Sequence, residues 1–425
     1  MTQLAPPPAS VPTPGGYGPV VNGRVMTSAG YEIDADTARR AAEATPHNTE
    51  RGRRSRAEGF VAWCRERGRL HTDPGALPDY VNHLARLRHP VETIETYATT
   101  LSSQLALQGH PLAEQDRYLV RAVIASRAAE IATDPHETGD ALQSTACSRA
   151  DLRALVDTLD RGTVRGKRDA LALLLDWHMA GRSCEPGSLA LPDVREETAH
   201  VESVDGGPGL ELPALRIVFR RSKTNPHGRR TDVVRIVMQT DADADICPVR
   251  AYREWMEVLA RHGVAHSGPL LRRIDRHGRI GGTGRCAGRQ PADTRQAGGI
   301  GARTVRNIIN KCARLARLVP ALTAEESELL STSAERAELN RAATDAEREA
   351  VRADRRIRRR ALRRRQPRYT GHSMRRGLIQ HLEKLGIARH VIERHCRFVP
   401  GSKALSRYGL DLLPWAHNPT VVMRR

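Results

Sequence analysis

Aromatic side chains are scarce in this sequence: they make up 4% of the 425 residues, and only three of them are Phe. Proteins that bind single-stranded nucleic acid stack its bases on aromatic rings, so this mode of binding is disfavoured. The seven cysteines lie far apart without any Cys-x-x-Cys pair, which argues against a structural zinc site and a disulfide framework. No apolar run reaches membrane-spanning length and no signal peptide opens the chain, so we expect a cytoplasmic protein with no membrane association.

Positive charge is what the chain has in excess. Lys and Arg total 68 against 49 Asp and Glu, which gives a formal net charge of +19. Such an excess attracts polyanions, because each neutralised phosphate releases condensed counterions. A protein from a GC-rich genome is also rich in arginine, so charge alone leaves both interpretations open. Together with the scarcity of aromatic rings, it favours double-stranded DNA as the partner.

The length of the chain predicts two folded domains with additional segments. Residues 1–35 are rich in Pro and Gly and predict a disordered leader. Apolar residues then recur at helical spacing over residues 36–140, which indicates a compact helical N-terminal domain. The polar stretch 134–144 is a candidate linker, and the second domain is expected over residues 145–425.

The second domain combines helices with a few strands. Ser148 is placed to cap its first helix, and residues 168–180 are apolar nearly all round, as in a buried helix. Two β-branched runs, 215–219 and 233–237, flank a polar loop and predict a pair of antiparallel strands. The predicted fold class is therefore mainly α with a small antiparallel sheet, an α+β arrangement.

Residues 321–368 form a charged insertion within the second domain. Eight acidic and three basic residues precede position 351, and ten Arg against one Asp follow it. If both blocks lie on one helix, their opposite charges can pair with each other; alternatively, the arginine half can bind DNA.

Four short segments carry residue types suited to phosphate chemistry. His372 and Arg375 are three positions apart, so on a helix they share a face and can aim an imidazole and a guanidinium at one phosphate. A pair of solvated polar residues at a helix start is the commoner explanation. Arg182 follows Gly181, which can end a helix and hold the next residue in place; Glu185 can orient that arginine or a neighbouring His. An exposed charge pair is again the alternative.

The other two segments are weaker signals when taken alone. Lys223 lies where the first predicted strand gives way to the hairpin loop, from which a lysine can protonate a leaving alkoxide. It is equally well explained as a surface lysine. Tyr408 closes a polar stretch near the end of the chain, and most tyrosines are structural.

The order of these residues is more specific than any one of them. Arg182 comes first, then Lys223 in a hairpin, then His372 and Arg375, and finally Tyr408. This order resembles the tyrosine recombinase (phage integrase) family, over about residues 45 to 415. Gly181 to Glu185, His372 to Gly377 and Arg397 to Tyr408 look like the three boxes of that family. Residues 91–101 are similar to a helix of its N-terminal core-binding, SAM-like domain.

The resemblance implies a site-specific DNA recombinase or integrase that cleaves and rejoins duplex DNA through a 3′-phosphotyrosine, without ATP, metal or cofactor. Tyr408 would be the nucleophile, and Arg182 and Arg375 would clamp the phosphate. His372 would hold the phosphate or receive the tyrosine proton, and Lys223 would protonate the departing 5′ oxygen.

The resemblance also implies a two-domain, C-shaped clamp around duplex DNA and a homotetramer in the synapse. We expect DNA contacts from Thr96 in the first domain and from Thr304, Arg306 and Asn310 in the second. The last two lie off the apolar stripe of a predicted helix that Thr304 is placed to cap. An accessory DNA-bending or directionality protein is a further expected partner. The protein would act at the nucleoid, encoded by a bacterium or by a mobile element such as a phage or plasmid, and the tail 410–425 would dock on a neighbouring subunit or on its own domain.

The sequence departs from the family pattern at one chemically important position. Family members carry a His or Trp before the tyrosine that donates a hydrogen bond to the phosphate, and Phe398 stands at the matching position here. A phenyl ring has no donor. His395 is the candidate to supply one in its place; otherwise the site works with one donor fewer.

Two alternatives to recombination follow from the same residues. A type IB topoisomerase uses a similar constellation but reseals the strand that it cut. A non-catalytic DNA-binding or architectural protein would retain the fold without the chemistry, and the missing donor at Phe398 favours it.

Overall fold

The computed structural model describes residues 20–27, 30–202, 209–220, 222, 225, 228–282 and 297–408. Helix predominates among the described residues. In chain order the elements are β1 (Arg24–Met26), β2 (Glu32–Asp34), α1 (Ala35–Ala44), α2 (His47–Glu66), α3 (Ala76–Arg86), α4 (Val91–Leu107), α5 (Glu114–Thr133), α6 (Arg149–Asp157), α7 (Val164–His178), α8 (Glu185–Ser188), β3 (Val194–Val201), β4 (Leu210–Phe219), β5 (Asp232–Val237), α9 (Pro248–Arg261), α10 (Ala302–Leu315), α11 (Ala324–Leu330), α12 (Thr332–Arg341), α13 (Asp345–Arg365), α14 (Gly371–Lys384) and α15 (Arg389–His395).

The chain folds into two compact units. The first contains Met1–Leu142 and Leu322–Arg365, and the second contains Gln143–Ala321 and Gln366–Arg425. The boundary at residue 142 lies inside the stretch expected to be a linker. The charged segment differs from the expectation: the sequence analysis counted it within the C-terminal domain, whereas α11, α12 and α13 belong to the first unit. The first unit is thus assembled from two separate stretches of chain.

Helices α2 to α5 surround an apolar core in the first unit. The ring of Tyr80 lies 5.1 Å from that of Phe60 and 5.3 Å from that of Trp63, so these three aromatic residues join α2 to α3. Ile94 and Leu101 of α4 are buried against them. The helical spacing read from the sequence is therefore the spacing of residues that face this core.

The prediction of a disordered leader over residues 1–35 is wrong for the second half of that segment. Strands β1 and β2 pair antiparallel, with Val25 opposite Ile33, and Val25 is buried. The side chain of Asp34 accepts a hydrogen bond of 2.7 Å from the backbone N–H of Asp36 and so caps α1. Two strands of three residues are too short to give a hydrophobic alternation, which is why the sequence did not indicate them. Residues 1–19 lie outside the described part of the chain.

The charged segment forms three helices rather than one. Its acidic and basic blocks pair with each other: Arg355 Nη1 lies 2.6 Å from Glu338 Oε1, and Arg359 Nη1 lies 2.7 Å from Glu335 Oε2. Arg355 also donates to the carbonyls of Glu328 and Leu329, at the end of α11. These arginines therefore satisfy the C-terminus of one helix and the acidic side chains of another.

The second unit contains the buried helix and the sheet. Leu171, Leu173, Leu174 and Leu175 of α7 are all fully buried, as their apolar surroundings in the sequence predict. Ser148 forms a capping box with Asp151 at the start of α6, which confirms its predicted role.

The two predicted strands are present as β4 and β5, which pair antiparallel with Ile217 opposite Val234. Strand β3, which pairs with the edge of β4 opposite to β5, was not predicted from the sequence. Most of the side chains of β3 are exposed or half-buried, so it lacks the apolar alternation that marks a half-buried strand. The predicted class, mainly helical with a small antiparallel sheet, is confirmed. Among the described residues no helix combines the length and apolar character needed to cross a membrane.

Candidate active site

The first part of the site lies where α7 ends. Ala180 has a φ of +47°, and the N–H of Gly181 donates to the carbonyl of Asp176 over 2.7 Å. The left-handed residue that turns the chain is thus Ala180 rather than the glycine expected to end the helix. Gly181 is needed for another reason: a Cβ there would stand 2.2 Å from Asp176 Oδ1. This close turn delivers Arg182 directly after the buried helix.

Glu185 holds Arg182 in place. Its Oε1 accepts from Arg182 Nη1 over 2.8 Å, and its Oε2 accepts from the backbone N–H of Arg182 over 3.0 Å. Burial by itself would raise the pKa of the Glu185 carboxyl, but the guanidinium groups of Arg397 and Arg182 outweigh burial and lower it. The carboxylate is therefore ionised at neutral pH, and the orienting role predicted for Glu185 toward Arg182 is the one that its contacts support.

Helix α14 carries the second pair of candidate residues. Thr370 caps it by accepting from the backbone N–H of His372 over 3.2 Å. A Cβ at Gly371 would stand 2.2 Å from the Cβ of Ser183, so this glycine allows the start of α14 to pack on the segment that follows Arg182. The two predicted boxes meet at that contact.

Arg375 is fully buried. Its Nη1 donates to the carbonyl of Ala180 over 2.5 Å and its Nη2 to the carbonyl of Cys396 over 2.6 Å, while its Nε has no hydrogen-bond partner among the described residues. Burial, and then the charge of the neighbouring Arg182, lower the pKa of Arg375 to about 10. The guanidinium therefore keeps its charge at neutral pH.

Tyr408 lies over this arginine. The Cζ atom of Arg375 is 5.5 Å from the centre of the tyrosine ring, and the ring of His372 is 6.1 Å from it. Tyr408 is half-buried at the end of a short 3₁₀ turn over Leu405–Arg407, and its backbone N–H donates to the carbonyl of Leu405 over 2.9 Å. His372 and Arg375, which share one helix, thus both approach Tyr408, as their spacing predicts.

Phe398 covers the face of Arg375. Its ring centre lies 4.3 Å from Arg375 Cζ and 5.6 Å from the Tyr408 ring, in an edge-to-face arrangement. The residue at the position of the family's usual donor therefore reaches the site as expected, but with an apolar ring. His395, the candidate substitute, forms a 2.8 Å hydrogen bond through its Nε2 with the carbonyl of His178. That nitrogen is engaged by backbone rather than directed at Tyr408.

Two further residues of this region were given no role from the sequence: Arg397, which was named only as the first residue of the third box, and Asp176. Arg397 is buried with a φ of +57°; its Nη2 lies 2.5 Å from Glu185 Oε2, and its Nη1 donates to the carbonyl of Met179 over 2.8 Å. Nothing local in the sequence distinguishes it from the other arginines of the chain.

Asp176 is the second. It is fully buried in α7, and neither of its carboxyl oxygens has a hydrogen-bond partner in the part of the chain that the structure describes. Burial, reinforced by the nearby Glu185 carboxylate, raises the pKa of Asp176 well above its usual range, which favours the neutral acid. A lone acid within an otherwise apolar helical run was the available signal.

Lys223 lies outside the described residues, as does the tail 410–425. The residues expected to contact DNA are on accessible surfaces. Arg306 and Asn310 are exposed on α10, and Asn310 Nδ2 donates to the carbonyl of Arg306 over 2.8 Å. Thr96 is exposed on α4, where its hydroxyl donates to the carbonyl of Glu92 over 2.7 Å. Thr304 is half-buried and does not cap α10, because that helix already begins at Ala302.

The described residues contain no group of three or more His, Cys, Asp or Glu side chains arranged to hold a metal ion. No protein-family model and no curated protein sequence matches the chain.

Proposed function

We propose that this chain is a tyrosine recombinase, an enzyme that cuts and rejoins duplex DNA through a covalent bond between Tyr408 and the DNA. The observation that carries the proposal is the placement of His372 and Arg375 at Tyr408, with Arg182 beside Arg375. These residues come from three separate stretches of sequence, and their order resembles that of the recombinase family.

The charges of the cluster suit a phosphodiester. Arg182, Arg375 and Arg397 supply three guanidinium groups, whereas the acids beside them are Glu185, whose pKa is lowered, and Asp176, whose raised pKa favours its neutral form. A buried surplus of positive charge is unfavourable without an anion, and a phosphate supplies one. The unpartnered Nε of Arg375 offers a further donor to such an anion.

In the proposed reaction, the Tyr408 hydroxyl attacks the phosphorus and loses its proton, with His372 as the nearest candidate acceptor. The bond from phosphorus to the 5′ oxygen breaks, and that oxygen takes a proton from an acid, the role implied for Lys223. Arg182 and Arg375 offset the charge that develops on the non-bridging oxygens. The 5′ hydroxyl of a second duplex then attacks the phosphotyrosine and releases Tyr408, so each phosphodiester is exchanged without a net change in bonding.

DNA would be held by both units in a C-shaped clamp, within a synaptic homotetramer. The exposed Thr96 of α4, together with Arg306 and Asn310 of α10, is available for contacts with the duplex. Half-buried Thr304 adds a hydroxyl beside them.

A second candidate function is supported by the surroundings of Arg375. Its two Nη atoms bind backbone carbonyls, and Phe398 covers its face, so a phosphate reaches this guanidinium only if the cover moves. A DNA-binding protein without catalytic activity would retain such an arrangement.

The test is covalent trapping on a library of short duplexes with randomised sequence, each nicked so that the cut product diffuses away. The protein is incubated with the library in the presence of a chelator, washed under denaturing conditions, and the retained DNA is sequenced. We expect a defined sequence to be retained by the wild type and nothing by Tyr408→Phe. Tyr118→Phe, which removes an exposed phenolic hydroxyl elsewhere, serves as the matched control and should behave as the wild type.

The outcome separates the candidates. If DNA is retained after a native wash but not after a denaturing wash, in the wild type and Tyr408→Phe alike, the protein binds DNA without catalysis. Covalent retention accompanied by relaxation of supercoiled plasmid, with no product that joins two duplexes, would indicate a topoisomerase instead.

A further inference from the structure

Arg397 occupies a backbone conformation that arginine rarely adopts. Its φ of +57° lies in the left-handed region, where the Cβ of an ordinary residue approaches the following carbonyl oxygen. A residue other than glycine persists there only when its surroundings fix it strongly, and such residues concentrate at functional sites. The proposed chemistry gives Arg397 no task, so the reason for its position has to be sought in its contacts.

One set of contacts leads to Arg182. Arg397 Nη2 lies 2.5 Å from Glu185 Oε2, the same oxygen that accepts from the backbone N–H of Arg182 over 3.0 Å. Glu185 Oε1 then binds the Arg182 guanidinium. The carboxylate is therefore held between two arginines, and its orientation toward Arg182 depends on the presence of Arg397.

A second set of contacts leads to Arg375. Arg397 Nη1 donates over 2.8 Å to the carbonyl of Met179, the residue before Ala180, and the carbonyl of Ala180 accepts from Arg375. The other acceptor of Arg375 is the carbonyl of Cys396, the residue before Arg397 itself. One backbone acceptor of Arg375, the carbonyl of Ala180, thus follows the residue whose carbonyl Arg397 binds. The other, the carbonyl of Cys396, belongs to the residue before Arg397.

Arg397 itself is enclosed within the unit. Only 3% of its surface is exposed, and its Cζ atom lies 4.0 Å from the ring of Phe219 at the end of β4. A side chain packed in this way acts through its neighbours rather than on the DNA.

We propose that Arg397 is a positioning residue that sets the orientation of Arg182 through Glu185 and of Arg375 through the turn at Met179 and Ala180. This assignment rests on the proposed function, since it is for phosphodiester cleavage that the two arginines must be aligned. Strain at position 397 is retained because a glycine there would relieve it but leave Glu185 without its second partner.

The central experiment compares Arg397→Gly with Arg317→Gly. Arg317 is also an arginine in the second unit with a φ of +57°, but it is exposed and lies after α10. Both substitutions relieve the same backbone strain, and only the first removes a guanidinium from the cluster. Arg397→Lys completes the set, because it keeps the charge near Glu185 but cannot bind the carboxylate and the Met179 carbonyl through a planar fork.

Three quantities are measured for each variant: the single-turnover rate of covalent trapping, DNA affinity by gel shift, and thermal unfolding. For Arg397→Gly we expect a cleavage rate about 10²-fold lower, the effect of misplacing a catalytic group by about 1 Å, and a DNA affinity within about twofold of wild type. Arg397→Lys should recover part of this loss, and Arg317→Gly should cleave at the wild-type rate.

Several results would overturn the assignment. A cleavage rate of Arg397→Gly within about threefold of wild type would do so, and so would a loss that only follows the fraction of unfolded protein or a parallel loss of DNA affinity. If Arg397→Gly does not fold, Arg397→Lys decides: a clear loss of rate supports positioning and the wild-type rate overturns it.

Failure of the proposed function is recognised separately. If the wild type traps no duplex, recombination is excluded as the activity, and crystal structures of wild type and Arg397→Gly then decide the positioning role. Displacement of the Glu185 carboxylate and the Arg182 guanidinium in the variant supports that role, and unchanged hydrogen bonds between these two residues refute it.

Discussion

Both units bury arginines, but they compensate the charge in different ways. In the charged segment of the first unit, the two arginines that pack on α11 each have an acid: Arg355 pairs with Glu338, and Arg359 pairs with Glu335. The half-buried Arg356, Arg360 and Arg364 donate to backbone carbonyls instead. Further N–H groups of both Arg355 and Arg359 bind carbonyls at the end of α11, although Arg355 Nε has no hydrogen-bond partner among the described residues. The charges of Arg355 and Arg359 are compensated within this unit, so these two arginines have a structural role.

In the second unit, the arginines of the candidate site outnumber the acids that can compensate their charge. Arg182 and Arg397 share a single carboxylate, that of Glu185, and Arg375 binds backbone carbonyls alone among its hydrogen bonds in the described cluster. Burial raises the pKa of the nearby acid Asp176, which favours its neutral form and so weakens its compensation of these charges. A buried cluster with this surplus is prepared for an anion that the protein does not itself supply.

This difference between the two units distinguishes basic residues with a structural role from those that indicate a function. The run of ten arginines after residue 350 is the feature that composition singles out, yet several of its members are bound to acids and carbonyls of their own unit. The arginines of the candidate site are scattered over more than 200 positions of the sequence. Compensation within the fold, rather than density in the sequence, separates the two groups.

Removing one arginine from each group is the strongest test of this difference between the two units. Arg182→Ala should lower the single-turnover cleavage rate by about 10²- to 10³-fold, as for the loss of a preorganised donor to a transition state. Arg355→Ala should leave the cleavage rate of the folded protein unchanged but destabilise the first unit by about 3 kcal/mol, because Glu338 and the helix-end carbonyls lose their partner.

Cleavage is measured by covalent trapping, and stability by urea unfolding of the same preparations. Arg359→Lys provides a milder variant of the structural group, since it keeps the charge beside Glu335. If Arg355→Ala reduced cleavage by as much as Arg182→Ala without unfolding, the division between a structural and a functional group of arginines would be lost.

Elements with a strong apolar pattern were predictable from the sequence. Helix α7 was found because its residues are apolar nearly all round, and β4 and β5 were found because they are β-branched runs on either side of a polar loop. Strand β3 and the hairpin of β1 and β2 were missed because β3 is largely exposed and the hairpin strands are only three residues long. The assignment of α11 to α13 to the first unit was missed as well, since it depends on contacts between distant parts of the chain.

The site was predictable to the extent that it follows from chain order. Arg182, His372, Arg375 and Tyr408 were singled out from their spacing and from a resemblance, and the fold places them in one region. Arg397 was named as the first residue of the third box but was given no role, because its importance comes from a backbone angle and from contacts with residues more than 200 positions away.

A smaller effect is expected from changing the group that covers Arg375. Phe398→His would place a hydrogen-bond donor beside both Arg375 and Tyr408, where the present ring offers none. We expect the cleavage rate to rise by about tenfold, less than a fully preorganised donor provides, because the new imidazole is not held by further hydrogen bonds.

Phe398→Leu is the matched control, since it removes the aromatic cover without adding a donor. Both variants are compared with wild type by single-turnover trapping. An equal gain in both would mean that access to Arg375, and not the missing donor, limits the wild type. A lower rate in both would show that the ring is needed to position Tyr408.

The last effect, on stability rather than on cleavage, tests the raised pKa of Asp176, on which the size of the positive surplus depends. Because its pKa is raised in the folded protein, folding binds its proton more tightly; this contribution to stability is complete below the unfolded pKa of about 4 and is lost as pH rises toward the folded pKa. Asp176→Asn keeps the shape of the neutral acid but cannot ionise. The free energy of unfolding of Asp176→Asn should therefore increase relative to that of wild type as pH rises above about 4, by at most about 1.4 kcal/mol per pH unit.

Unfolding by urea between pH 3 and 8 measures this difference. Asp275→Asn supplies a control of opposite sign: desolvation acts to raise the pKa of Asp275, but hydrogen bonds from Arg279 and from the backbone outweigh it and lower the pKa to about 2. Its contribution to stability is present above about pH 4 and declines as pH falls toward 2, so this variant should be less stable than wild type at neutral pH and approach it in acid. If the curves of wild type and Asp176→Asn stay parallel, Asp176 has no raised pKa. It would then be ionised at neutral pH, the cluster would hold three guanidinium groups against two carboxylates, and the contrast with the paired arginines of the first unit would be reduced by one charge.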